Sequence, residues 1–206
     1  MGPGAVMIRL AATEQIVAIL ILGLVVFLGV HAFTMCRGAR ATLVARLGER
    51  PYKILYALIS LIGLGLLIYG YGDYRAAGVI PVWQPPAWTR HIAFLLMLVA
   101  LVLLPAAYIP SHIKAAVKHP MITAVKTWAF AHLLVRGDLG SILLFAAFLA
   151  WGVTARISMK RRGGPAPVAP PGWRNDIIVI AVGLALYAGV ILWFHPQVIG
   201  VALVRG

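Results

Sequence analysis

Apolar positions in this chain come in long unbroken blocks. They show neither the alternation of a half-buried strand nor the narrow stripe of a soluble helix. A helix needs about 20 apolar residues to cross the hydrocarbon core of a bilayer. Six blocks approach that length, over residues 16–36, 52–71, 91–109, 119–135, 139–157 and 177–195. The fourth is the shortest and carries Lys126 and His132. The stretch Arg136-Gly137-Asp138-Leu139-Gly140 reads as a tight turn after it. Open strands cannot span, because their backbone polar groups would go unpaired in lipid. The pattern therefore predicts an all-α fold, a polytopic transmembrane helical bundle of about six spans, as one domain over residues 1–206. Small residues recur every fourth position at Ala146, Ala150 and Thr154 and at Ala181, Ala185 and Gly189. That spacing lets helices approach closely.

Composition agrees. The chain is 62% hydrophobic and 11% charged, against about 45–50% and about 25% in soluble domains. A soluble globule and a disordered chain are both excluded. The net charge of +13 would ordinarily raise nucleic-acid binding. It arises, however, from having only five acids, Glu14, Glu49, Asp73, Asp138 and Asp176. No nucleic-acid partner is expected; the partner is the lipid bilayer. The lone Cys36 excludes an intramolecular disulfide and a multi-cysteine metal site.

The placement of the cations carries the information. Arg37, Arg40, Arg46, Arg50 and Lys53 follow the first block, and Lys114 and Lys118 follow the third. Arg156, Lys160, Arg161, Arg162 and Arg174 follow the fifth. Arg9, Arg75, Arg90, Arg136 and Arg205 fall on the opposite side. The positive-inside rule puts the larger set in the cytoplasm. Both termini then face outward, in a multi-pass membrane protein. Trp83 and Trp88, in the outer loop, suit the membrane interface. Residues 158–175 are basic and then rich in Pro and Gly, as in a flexible connector.

Ionisable residues inside spans are costly and are candidates for function. Three stand out: His31, Lys126 and His132. His31 lies among Phe27, Leu28 and Phe33. It is either a histidine satisfied by a carbonyl or a metal ligand, since neutral imidazole ligates metals and holds haem iron. In the fourth block, at 100° per residue, His119, Thr123, Lys126 and Phe130 share one face. Met121, Val125, Trp128 and His132 share nearly the opposite one. Lys126 either snorkels or pairs with an anion, such as a haem propionate or an anionic substrate. His132, one turn after Trp128, is the better ligand candidate. His112 and His119 sit near the cytoplasmic surface without an evident carboxylate, which argues against a zinc hydrolase. No Walker loop or nucleophile elbow occurs.

Several short motifs, in order, resemble the NnrU family of bacterial membrane proteins, whose relatives include zeta-carotene isomerase. They are Gly29-Val30-His31, Gly48-Glu49-Arg50, His119-Pro120-Met121, Lys126-x-Trp128, Ala131-His132-Leu133-Leu134, Gly137-Asp138 and Phe148-Leu149-Ala150-Trp151. The resemblance implies a membrane protein associated with denitrification and nitric oxide metabolism. It further implies a haem b site with an isomerase-like or redox role and an apolar polyene as substrate. The isomerase's two ligand histidines match His31 and His132, and its His-Pro pair matches His119-Pro120. His119, Lys126 and Trp128 belong to the same candidate cofactor site. The isomerase carries a cysteine at the position of Ala129, so the thiolate of a redox ligand exchange is missing here.

Depth complicates this pairing. At 1.5 Å per residue, His31 lies near the inner edge of its span and His132 near the outer edge of its own. His91 and His195, near the outer edge, are alternative partners for His132. Two other functions compete. Lys118-His119-Pro120 resembles the cofactor motif of isoprenylcysteine carboxyl methyltransferases, but no glutamate follows Glu49 to complete that family's pattern. A non-enzymatic assembly factor needs no catalytic residues at all.

Overall fold

The computed structural model describes residues 3–203, with side chains from residue 15 onward. Arg205 and the side chains of Arg9 and Glu14, used in the charge argument, lie outside the described residues. Among the described residues the regular structure is helical, with one isolated bridge between Pro81 and Asp138. The order is α1 (Pro3–Phe33), α2 (Arg37–Leu47), α3 (Glu49–Ala77), α4 (Thr89–Ala106), α5 (His112–Val117), α6 (Pro120–Leu133), α7 (Leu139–Arg162) and α8 (Arg174–Gly189). A π-helix, Val190–Ile199, continues α8.

Five stretches are long and apolar enough to cross a bilayer: Gln15–Phe33, Glu49–Ala77, Thr89–Ala106, Leu139–Arg162 and Arg174–Ile199. The protein is thus an all-α, multi-pass membrane protein, close to the six spans expected. The expected fourth span is a helix of 14 residues, about 21 Å long at 1.5 Å per residue. Pro120 starts it, where a missing N–H costs nothing. Two helices escape a search for apolar blocks. In α2, Ala, Leu and Arg favour helix without making it apolar. In α5, Ser111 caps six residues by accepting from Lys114 N.

The chain divides into two compact units, residues 1–85 with 136–151 and residues 86–135 with 152–206. In the first unit α1 and α3 meet backbone to backbone. A Cβ on Gly63 would stand 2.6 Å from Phe27 N, one on Gly70 2.6 Å from Leu20 N, and one on Gly23 2.5 Å from Leu67 N. In lipid no hydrophobic gain separates helix–helix from helix–lipid contact, so close van der Waals approach holds the pair. The loop after α3 is pinned to the start of α7. Val82 N and Trp83 N donate to Gly137 O at 2.7 and 3.0 Å, and Leu139 N donates to Ile80 O at 2.9 Å. Tyr74, 1% exposed, accepts the Ile80 N–H at 2.9 Å. Asp138 caps α7 through Ser141 N at 2.9 Å, and Ser141 Oγ pairs with Tyr71 Oη at 2.8 Å.

The second unit packs α4 against α6 and α8. A Cβ on Gly183 would lie 2.6 Å from Val102 Cα. Four residues on, Tyr187 Oη donates to Phe94 O at 3.2 Å. The buried face of α8 is Asp176, Val179 and Gly183. Ala181, Ala185 and Gly189 are exposed, as are Ala146, Ala150 and Thr154. The close approach on α8 is at Gly183, not at the Ala181, Ala185 and Gly189 ladder.

Candidate cofactor site

Each candidate histidine inside a helix is oriented by its own helix. His31 Nδ1 donates to Phe27 O at 2.6 Å, one turn back. His132 Nδ1 donates to Trp128 O at 2.8 Å in the same way. For His31 this leaves Nε2 as the nitrogen for a ligand, the usual arrangement at metal sites. The carbonyl that satisfies His31 lies in α1 itself.

Aromatic rings surround His31 within the first unit. Its ring centroid lies 4.4 Å from that of Phe27, 5.5 Å from Tyr56 and 5.9 Å, edge-on, from Trp151. Phe148 packs on Phe27 at 5.8 Å. Such rings exclude water and hold the imidazole by edge and face contacts. His31 belongs to the first unit; Lys126, Trp128, His132 and His119 belong to the second.

Within the second unit His132 faces another histidine. The rings of His132 and His195 are 6.3 Å apart at their centroids and 18° from parallel. Trp128 lies 5.4 Å from His132. His195 sits in the π-helix, immediately before Pro196. Pro has no N–H to donate, and π-helical turns recur at functional sites. Lys126 lies on the other side of α6. Its side chain covers Gly152, where a Cβ would come within 2.6 Å of Lys126 Cγ. Among the described residues no carboxylate lies within ion-pair distance of Lys126.

His119 occupies the N-cap position of α6, behind a strained turn, without a side-chain capping bond. Lys118 has φ +66° and ψ −43°, and His119 N donates to Val117 O at 2.8 Å. This is the rare γ-turn of positive φ. His119 lies outside the five long helices. Its burial, and then the charges of Arg156, Arg162 and Lys118, lower its pKa and favour the neutral ring.

His112 does have a carboxylate, against the sequence reading. Asp176 Oδ2 accepts from His112 Nδ1 at 2.8 Å and from His112 N at 3.2 Å, while Oδ1 accepts from Ile113 N at 3.0 Å. Trp173 stacks on the His112 ring at 4.2 Å and 18°. The partners are 64 residues apart in sequence, so no spacing could reveal them. An acid at the head of an apolar helix was the available signal. Asp176 is 4% exposed and spends both oxygens on this latch. Among the described residues no group of three His, Cys, Asp or Glu could hold a metal ion.

A multi-pass helical membrane protein with oriented histidines inside its apolar helices is the class that fold and site define. The chain belongs to the NnrU family, described as NnrU protein, whose family model matches residues 19–203. That match contains every candidate histidine named above. Comparison with curated proteins and with solved structures found no match.

Proposed function

We propose that the protein binds haem b in the bacterial inner membrane and serves nitric oxide or denitrification metabolism as a redox protein or isomerase. The observation that carries this reading is the near-parallel His132–His195 pair. Their centroids stand 6.3 Å apart among apolar helices, and these two histidines would hold the haem iron. Haem would supply one-electron chemistry at its iron. Trp128 fixes the tautomer of His132 through its carbonyl and shields the ring. Lys126 would meet an anion on its own face of α6, since its face is not that of His132. Family membership supports the denitrification setting. The basic segments then face the cytoplasm and the termini the periplasm.

The absorption spectrum of protein purified from haem-replete cells tests the reading. A Soret band that shifts on reduction is expected, and His132→Ala should abolish or blue-shift it. If His195 is the second ligand, His195→Ala changes the spectrum and His31→Ala does not. If His31 is the second ligand, as the resemblance implies, the outcome reverses. A colourless protein that takes up no haem on reconstitution overturns the proposal.

A further inference from the structure

The corner between α1, α2 and α3 holds a cavity of about 440 Å³, within the ordinary range for ligand sites of about 300–1,000 Å³. Val26, Gly29 and Phe33 of α1, Leu43 of α2, and Tyr52 and Tyr56 of α3 form much of its wall. Gly29 leaves space where another residue would project, since a Cβ there would touch nothing within 4 Å. The wall is almost wholly hydrocarbon. Tyr52 is 6% exposed, and its Oη is buried with no hydrogen-bond partner among the described residues. A buried hydroxyl without a partner is costly and calls for an acceptor.

Charge gathers beside this hydroxyl. The Arg40 guanidinium lies over the Tyr52 ring, 5.6 Å from its centroid. Arg37, Arg40 and Arg46 are exposed along α2, and Arg50 follows at the start of α3. The carboxylate in this region, Glu49, pairs with Lys53 at 2.7 Å. The arginines of α2 have no carboxylate within ion-pair distance among the described residues. Clusters of basic residues just beyond a spanning helix attract anionic lipid headgroups.

We propose that this cavity is a binding site for an anionic glycerophospholipid of the surrounding bilayer. The acyl chain lies along the apolar wall. An ester carbonyl accepts the Tyr52 hydroxyl proton, and the phosphate meets Arg40. In such a lipid, carbonyl and phosphate are neighbours, as Tyr52 and Arg40 are here. The apolar wall disfavours a free phosphate, and the arginines lacking carboxylate partners disfavour a neutral apolar occupant. The site lies in the first unit and does not depend on the haem reading.

Native mass spectrometry of the full chain, delipidated in detergent, tests this with phosphatidylglycerol, phosphatidylcholine, inorganic phosphate and a carotenoid polyene as probes. Phosphatidylglycerol should be retained in preference to phosphatidylcholine, with inorganic phosphate not retained. Arg40→Gln should reduce that preference about fivefold, the share of one basic residue beside an anionic headgroup. Arg46→Gln should leave most of it. Tyr52→Phe should weaken retention a few-fold without changing the headgroup preference, and Gly29→Leu should fill the cavity and lower occupancy. Unchanged circular dichroism in each variant separates lost binding from lost fold. Equal retention of the two phospholipids, an Arg40→Gln variant like the parent, or displacement of phosphatidylglycerol by the polyene overturns the proposal.

Discussion

The α1–α3 pair and the α4–α6–α8 group are both built from apolar helices, yet they are held by different means. In the first, three glycines let two backbones touch, and the side chains at the crossing are plain hydrocarbon. In the second, one glycine contact at Gly183 is joined by directional polar links, His112 to Asp176 and Tyr187 to Phe94. Close packing depends on shape and fails when volume is added. Polar links depend on partner chemistry and fail when a donor or acceptor is removed. The contrast puts shape-dependent packing in the first group and partner-dependent links in the second.

The largest effect should come from breaking the shape of the first pair. Gly63→Leu puts a side chain where a Cβ alone meets the Phe27 backbone at 2.6 Å. Backbone cannot swing aside as a side chain can. A loss of about 3 kcal/mol or more is expected, seen as failed expression or a collapsed melting midpoint in detergent.

Next, Asp176→Ala removes the acceptor of three hydrogen bonds. It leaves the N–H groups at the head of α5 unsatisfied, at a cost of about 2–3 kcal/mol. Asp176→Asn, which keeps one acceptor oxygen, should lose less. Equal melting midpoints for the two variants would show that Asp176 acts by packing and not as an acceptor.

A smaller loss is expected for Tyr74→Phe in the first unit. The buried hydroxyl accepts from Ile80 N at 2.9 Å, so about 1–2 kcal/mol should go with it. Hydrogen exchange at the Ile80 amide should rise in step; if it does not, the loop is held by its backbone bonds to Gly137 and Leu139.

The smallest effect has the opposite sign. Lys118→Gly relieves a residue held at φ +66° and should raise stability by about 1 kcal/mol. If this strain serves the site by setting His119, the gain in melting temperature should come with a change in the haem spectrum or its reduction. A destabilised variant would show that Lys118 contributes contacts that outweigh the strain.

Much of the architecture was legible in the chain because lipid imposes a single rule, that backbone polar groups be satisfied within each segment. Apolar length alone located the long helices, and the turn at Gly137-Asp138 was readable from its residue types. The helix α2 was not, because an exposed helix rich in Arg and Ala carries no apolar block. Of the site, His31, Lys126, Trp128, His132 and His119 stand out in sequence as polar or aromatic residues in apolar surroundings. The bond of each helical histidine to its own preceding turn follows from the four-residue spacing of a helix. The neighbours from distant segments do not follow: Tyr56 and Trp151 around His31, Asp176 and Trp173 on His112, and the His195 ring beside His132. His195 was among several possible partners by depth, and depth alone could not choose among them.

The amino-acid sequence by itself determined the solvent of this protein, the all-α class, the approximate spans and the family. Each of these depends on composition and on order along the chain, which local periodicity reads directly. The tertiary structure alone decided which glycines become contacts, which acid meets His112 and which ring faces His132. A side chain's identity states what it can bond, but its partner is whichever group packing brings within a few ångströms. Between residues tens of positions apart, no local periodicity carries that information.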